Sequence, residues 1–379
     1  MTVGLGVSIG TVNTVCAVST AGGGRHGGGN RQRAGGPPTT WRTTLTFDST
    51  GTARVGRIPR HGRAITEFAD LTQRAAPSAR VGHRALSAAD LVATVADSVI
   101  RQVLGDRPDP GVSITVTHPV GYPADRVSDL RDALDTVGLR QARLIAEPIA
   151  ATAWLESARG PLMPGLALVY DLGGSGLNVT LVRVGAGCPQ HPVVGEPLRS
   201  TDFGGRAFGA LMARRAHWSA SDNPTLVGVL SDAAITELRT AHVRKSLDVV
   251  YECLRVADVT MADVDCVLVV GGAARPPEVA GLLSDALARP VIVAPDPERT
   301  IAEGAAILAC RSAVVPAAVA HRRVVWIGGA RLRRRLTRAA VTTAVAAAGA
   351  LFAATAVASD DPRTAAIDAN GYCIVQPVH

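Results

Sequence analysis

The most informative part of the chain is a glycine turn near its middle, Asp171-Leu172-Gly173-Gly174-Ser175-Gly176, which lies between two apolar runs. Because glycine has no Cβ, the backbone N–H groups of such a turn can point into one concavity and hold a phosphate. Similar turns occur at residues 6–13 and 271–276. A single turn of this kind is weak evidence. Three in this order predict a nucleotide cleft shared between two halves of the chain.

The pattern around the first two turns repeats, which predicts two related α/β units in tandem. In each unit, two predicted strands flank the glycine turn, and a later strand leads into a helix with proline near its start. Strands are expected at 3–8, 14–19, 112–117, 166–170, 178–184 and 265–270, and helices at 88–104, 123–137 and 276–287. The units are placed at residues 1–160 and 161–312. A Gly-, Arg- and Pro-rich stretch at 21–38 predicts a flexible loop in the first.

The positive charge of the chain is concentrated in one segment. The net charge is +7, and a run rich in arginine without acidic residues occupies 322–338, inside a predicted basic segment at 313–338. Trp326 is the single aromatic residue among these arginines, and a surface of interleaved aromatic residues that would stack on bases is lacking, so nucleic-acid binding is not expected.

The uncharged stretch at 339–358 has the length that crosses a hydrocarbon core of about 30 Å. It predicts one transmembrane helix; a buried or interfacial alanine-rich helix is the alternative. The positive-inside rule would place residues 1–338 in the cytoplasm and the tail at 359–379 outside. The arginine cluster would then contact anionic lipid of the cell membrane.

Six motifs occur in a recognisable order. They are the turn with Gly10, Thr11, Val12 and Asn13, the segment 143–151 around Glu147, the turn at 171–174, the pair Gly204 and Gly205, the segment 268–277 and the segment 296–306. Together they resemble the nucleotide-binding domain of the DnaK-type (seventy-kilodalton heat-shock) chaperones, within the actin-like ATPase superfamily. The similarity covers roughly residues 1–312. It implies an α/β fold with two lobes around a nucleotide cleft.

The resemblance also implies which residues would serve ATP or ADP and Mg²⁺. Glu147, Asp171 and Arg60 would act in catalysis, and Asp171 would also be the metal ligand. The nucleotide would be held by Gly10, Thr11, Val12, Asn13, Gly173, Gly174, Ser175, Gly204, Gly205, Gly271, Gly272, Arg275 and Asp296. Considered without the family, Glu147 could instead be a carboxylate favoured by a helix start, and Arg275 a surface arginine.

The chain departs from the family pattern at positions that matter for hydrolysis. Ser8 replaces an aspartate that helps to hold Mg²⁺, and Gly176 and Asn178 align with a threonine and an aspartate of the second loop. The position of the catalytic lysine falls on Arg60. A positioned acid or base contributes roughly 10²- to 10⁴-fold to a rate, so binding is expected to survive better than turnover.

Two functions are therefore predicted. One is a membrane-anchored, chaperone-related protein that binds ATP with weak or absent hydrolysis. The other is a pseudo-ATPase scaffold or nucleotide sensor that recruits an unknown protein partner or client at the cytoplasmic membrane face. The segment between residues 205 and 271 is shorter than in the family, and no peptide-binding domain is recognised after residue 311.

Overall fold

The computed structural model of the chain describes residues 2–21, 33–34, 38–48, 50–57, 64–73, 78–81, 84–105, 111–222 and 230–314. All of them belong to one compact unit, residues 1–316. The predicted flexible loop at 21–38 lies mostly outside the described residues. So do residues 315–379, which hold nearly all of the predicted basic segment, the predicted transmembrane helix and the tail.

The first half of the chain builds a mixed sheet flanked by helices. This half contains the strands β1 (Thr2–Ile9), β2 (Asn13–Ala21), β3 (Arg33–Ala34), β4 (Thr39–Arg42), β5 (Leu45–Phe47), β6 (Ala53–Val55), β7 (Ala79–Val81), β8 (Arg84–Leu86), β9 (Val112–His118) and β10 (Arg143–Ala146), and the helices α1 (Ala88–Leu104), α2 (Ala124–Thr136) and α3 (Glu147–Arg159). The sheet order is β10-β9-β1-β2-β3, with β4 paired to β2. Strands β5 and β6, and likewise β7 and β8, pair as separate two-stranded sheets. Strands β1 and β2 form an antiparallel hairpin, and β9 runs parallel to β1.

The second half repeats this arrangement. It contains β11 (Gly165–Leu172), β12 (Leu177–Val184), β13 (Val193–Ser200), α4 (Gly205–Asp222), α5 (Asp232–Val256), β14 (Cys266–Val270), α6 (Pro277–Leu287), β15 (Val291–Val293) and α7 (Thr300–Val314). The sheet order is β13-β12-β11-β14-β15. Again a hairpin, β11–β12, is followed by a parallel neighbour, β14. The strands and helices predicted from the sequence lie within two residues of the observed ones.

Large apolar residues and glycines alternate along strand β1 because one face of the strand packs in the core of the first half and the other faces helix α7. Leu5 and Val7 are fully buried in the core of the first half. Gly4 and Gly6 face α7: a Cβ on Gly6 would stand 2.8 Å from the carbonyl carbon of Ala305. A side chain at either glycine would therefore push the helix off the sheet.

Helices α3 and α7 form the layer between the two sheets. Helix α7 comes from the second half but packs on β1, β2 and β9, whereas α3 comes from the first half and packs with β11, β12 and β14. The two helices cross at Gly304, where a Cβ would stand 2.6 Å from the carbonyl carbon of Ala150. Each sheet is thus covered by a helix from the other half of the chain.

Among the described helices, none combines the length and the apolarity that a bilayer crossing needs. The predicted fold class is therefore corrected: the supported fold is mixed α/β, consistent with an actin-like ATPase, and none of its described helices supports the transmembrane part of the prediction. The stretch at 339–358 and the arginine cluster before it lie outside the described residues. That stretch consists mostly of alanine and threonine, which are only weakly apolar, so length and lack of charge were a weak basis for predicting a span.

Candidate functional site

Residues of both sheets line a cleft of about 570 Å³ at the tips of the two hairpins. Thirteen of the predicted site residues border it: Gly10, Thr11, Val12, Asn13, Glu147, Asp171, Gly173, Gly174, Ser175, Gly205, Gly271, Gly272 and Arg275. A cleft of this volume is typical of small-molecule sites. The fold thus brings together turns that are far apart in sequence, and their role as nucleotide ligands stays a prediction.

Three predicted residues are not among those that border the cleft. Gly204 has a φ of 109° and packs against the backbone of the second glycine turn: a Cβ on Gly204 would stand 2.7 Å from the backbone nitrogen of Gly176. Asp296 accepts a hydrogen bond of 3.0 Å from Nε of Arg275 and so positions that arginine. Arg60 lies outside the described residues.

The two hairpin turns hold their shape through backbone hydrogen bonds and touch each other. Gly10 N–H donates to the carbonyl of Asn13 at 3.0 Å, and Gly173 N–H donates to the carbonyl of Gly176 at 2.9 Å. A Cβ on Gly174 would stand 3.0 Å from Cβ of Val12 and closer still to its methyl group. The absence of a side chain at Gly174 therefore allows the two turns to meet at this edge of the cleft.

Three polar residues form a row across the second sheet beside the cleft. Asp171 pairs with Asn178 across β11 and β12, and Asn178 pairs with Arg199 across β12 and β13. Directly opposite residues on antiparallel strands have Cβ atoms about 4.5–5.5 Å apart, so the three side chains are neighbours. Asn178 Nδ2 donates to the Asp171 carboxylate at 3.2 Å. Sequence reasoning missed Arg199 because the strand register that places it in this row cannot be read from one sequence.

Glu147 is the first residue of α3, and only 9% of it is exposed. Burial raises the pKa of Glu147 to about 8, with a further contribution from the negative charge of Asp171. Burial also raises the pKa of half-buried Asp171, although the hydrogen bond from Asn178 and the charge of Arg199 oppose this. Because the two carboxyls share one site, the pair retains a proton at neutral pH. We assign it to Glu147, the more deeply buried member.

Arg199 is held from the first half of the chain by Asp70, which is 5% exposed. Its Nη2 and Nη1 donate to the two carboxylate oxygens of Asp70 at 2.6 and 3.2 Å. The backbone N–H and the hydroxyl of Thr72 donate to the same carboxylate. Burial alone would raise the pKa of Asp70, but the hydrogen bonds from Arg199 and Thr72 hold that pKa below its usual range. This ion pair joins the two halves of the chain across the cleft.

Tyr122 fixes the segment that carries Asp70. Its hydroxyl donates to the carbonyl of Ala69 at 2.9 Å and accepts from the N–H of Leu71 at 3.2 Å. Neither Asp70 nor Tyr122 was predicted. The local signal was the Asp-Leu-Thr sequence at 70–72, which indicates an Asx turn rather than a functional site.

The third glycine turn forms another border of the cleft. Gly271 has a φ of 96°, and a Cβ there would stand 2.7 Å from Oδ1 of Asp171. Arg275 donates to the carboxylate of Glu298. Nδ2 of Asn13 donates to the other oxygen of Glu298 at 2.6 Å. Glu298 therefore links a residue of the first turn to one of the third.

The side chains present do not fit a Mg²⁺ ion held directly by the protein. Such a site usually uses one or two ionised carboxylates together with waters. Here Glu147 retains a proton, which leaves Asp171 as the carboxylate that could bind the ion; Asn178 already donates to Asp171, and the guanidinium of Arg199 in the same row repels a cation. Within the described part of the chain, no group of three or more His, Cys, Asp or Glu side chains could hold a metal ion.

Comparison with known proteins identifies relatives of the chain. Residues 215–314 match the family model described as Hsp70 protein. The chaperone protein HscA of Xenorhabdus nematophila is 30% identical over 230 residues, which cover 52% of this chain and 36% of that protein. HscA homologues of Cupriavidus pinatubonensis and Bordetella petrii are each 28% identical, over 52% and 56% of this chain.

The matched region spans less than two fifths of the length of each of these relatives, at 36% to 39%. The family match falls in the second half of the chain, which carries the third glycine turn. These findings support an Hsp70-type nucleotide-binding domain that accounts for part of this chain.

Proposed function

We propose that the chain is a chaperone-related protein that binds ATP or ADP in the cleft and hydrolyses ATP weakly or not at all. The observation that carries this proposal is the convergence of three glycine turns, at 10–13, 173–176 and 271–272, on one cleft of about 570 Å³. Backbone N–H groups of such turns hold phosphate without help from side chains. Binding of this kind does not depend on the family's carboxylates.

Weak hydrolysis follows from the state of the carboxyl groups. A general base must be ionised to accept a proton from an attacking water. The raised pKa of Glu147 keeps its carboxyl protonated near neutral pH. Burial raises the pKa of Asp171 to about 6, so this carboxyl is ionised at neutral pH, but Asn178 already donates to one of its oxygens and Arg199 attracts its charge. A positioned base contributes roughly 10²- to 10⁴-fold to the rate of the reaction, so its loss lowers the rate of hydrolysis but leaves nucleotide binding unchanged.

The full-length protein tests this proposal through two measurements, thermal unfolding with and without ATP and release of inorganic phosphate. ATP should raise the unfolding temperature, while phosphate release should stay near the background and should not change in Glu147→Gln. Glu156→Gln is the matched control, because Glu156 lies on the same helix but pairs with Arg311 and does not border the cleft. Substantial phosphate release that is lost in Glu147→Ala would show an active ATPase, and a lack of any response to ATP would refute binding.

A second candidate is a nucleotide sensor that recruits a protein partner without turnover. The contacts that cross the cleft favour it, since Asp70 with Arg199 and Asn13 with Glu298 already join the two halves. The double variant Ser8→Asp with Asn178→Asp restores two carboxylates of the family pattern. If the wild type binds ATP without turnover and the double variant gains phosphate release, the sensor is supported. If the wild type already hydrolyses ATP, the sensor is excluded.

A further inference from the structure

Arg199 puts a fixed positive charge beside the second glycine turn. It borders the cleft, and its position in the strand register makes it the third member of the row that starts with Asp171 and Asn178. A Cβ on Gly176 would stand 3.8 Å from Nε of Arg199. The guanidinium therefore lies against the turn whose backbone N–H groups are the candidate phosphate ligands.

The guanidinium is held rigidly and still has donors to offer. A guanidinium carries five N–H donors. The pair with Asp70 uses one donor on each of Nη1 and Nη2, and Nη1 also approaches the hydroxyl of Thr72 at 3.4 Å. The contacts described here leave Nε, on the side of Gly176, and a second hydrogen on Nη2. An arginine fixed in this way loses little conformational entropy when it binds a further anion.

We propose that Arg199 supplies the positive charge that binds the phosphates of the nucleotide, so that binding does not require a divalent cation. This inference rests on the proposed nucleotide binding in the same cleft. It also accounts for the poor fit of a magnesium ion beside Asp171, since the charge of Arg199 would neutralise the phosphates in place of a metal. Arginine suits this task because its planar guanidinium forms paired, charge-assisted hydrogen bonds with phosphate oxygens.

Other arginines at the cleft are less suited to this role. Arg275 is engaged by Asp296 and Glu298 at the third glycine turn. Arg206 pairs with Glu67, and both side chains are largely exposed, with 43% and 61% of their surface accessible. Arg199 is the more deeply buried cation, with 25% of its side chain exposed, so its interaction with an anion is less screened by water.

Isothermal titration calorimetry of the full-length protein with ATP, in buffers that contain either MgCl₂ or EDTA, tests the proposal. The dissociation constant of the wild type should differ by less than about threefold between the two buffers. Arg199→Ala should weaken binding by about ten- to a hundredfold in both, the effect of losing a hydrogen bond to a charged group. Arg199→Lys should retain part of the affinity. Arg183→Ala is the control, because Arg183 is an exposed arginine near the other end of β12, opposite Leu166.

A folding defect in Arg199→Ala is a foreseeable complication, because Asp70 would lose its partner. The double variant Arg199→Ala with Asp70→Ala removes both members of the pair and should show the same loss of ATP affinity. Wild-type binding that needs MgCl₂, or a double variant that binds ATP in EDTA as tightly as the wild type, would overturn the role of Arg199. A wild type that binds no ATP in either buffer would refute nucleotide binding itself, together with this inference.

Discussion

The crossing of α3 and α7 at Gly304 leads to a quantitative prediction for Gly304→Ala. In an open helical position this change stabilises a protein by roughly 0.5–1 kcal/mol, because alanine has the higher helix propensity. Here the added Cβ would stand 2.6 Å from the carbonyl carbon of Ala150 and 3.3 Å from the backbone nitrogen of Trp154. Backbone atoms cannot relieve the contact by changing rotamer as a side chain can, so overpacking should lower the free energy of unfolding by about 3 kcal/mol or more. The net expectation is a loss of about 2 kcal/mol in the free energy of unfolding.

Two other helical glycines serve as matched controls. A Cβ on Gly209 in α4 or on Gly281 in α6 would meet no heavy atom within 4 Å. Alanine at either position should therefore raise the free energy of unfolding by roughly 0.5–1 kcal/mol. Urea unfolding of the full-length protein, followed by far-ultraviolet circular dichroism, measures all three variants. If Gly304→Ala proved as stable as Gly281→Ala, the backbone contact between α3 and α7 would be refuted.

Three further predictions concern buried polar groups. Folding raises the pKa of Glu147 to about 8, so the stability that its protonated carboxyl contributes is complete below the ordinary carboxyl pKa and is lost as the pH rises through about 8. Calorimetry across this pH range should show a fall in stability for the wild type that Glu147→Gln lacks. An equal fall in both proteins would contradict the prediction. Tyr122→Phe leaves the N–H of Leu71 without its acceptor, which should lower the free energy of unfolding by about 1–3 kcal/mol. Hydrogen exchange at the amide of Leu71 should also become faster. An unchanged exchange rate would contradict the hydrogen bond from Leu71 to Tyr122. Tyr170→Phe breaks a buried hydrogen bond of 2.6 Å to Ser246 and should lower the free energy of unfolding, measured in urea, by about 1–2 kcal/mol. The double variant Tyr170→Phe with Ser246→Ala should lose less than this, because no unpaired hydroxyl is then left buried. A larger loss in the double variant would contradict the prediction.

The parts of the fold that were predicted from the sequence are those with a local signature. The glycine turns at 10–13 and 173–176 stand between strands, and a hairpin is held by contacts that lie close in sequence. Helix α1 begins at a capping box of Ser87 and Asp90 and ends before Gly105, so its bounds were visible in the residue types. The site residues were predicted from the family resemblance of the motifs, and most of them border the cleft.

The parts that were not predicted depend on residues that are distant in sequence. Asp70 and Arg199 are 129 residues apart, and neither belongs to a motif. Their pairing depends on the register of β12 against β13 and on the path of the segment that Tyr122 holds. The transmembrane helix of the predicted fold class is not supported by any described helix, and its basis was weak: it relied on length and lack of charge in a stretch of weakly apolar residues at 339–358, which lies outside the described residues.

The exchange of covering helices between the two sheets has a consequence for synthesis of the protein. Strand β1 leaves the ribosome long before α7, yet Gly4 and Gly6 leave room for the backbone of α7, whose last residue is Val314. Val15 and Ala17 on β2 likewise bury against Ala302 and Ala306 of that helix. A nascent chain that stops before α7 leaves one face of the sheet that contains β1 and β2 uncovered. The amino-terminal strands must therefore wait for nearly the whole described chain before their burial is complete.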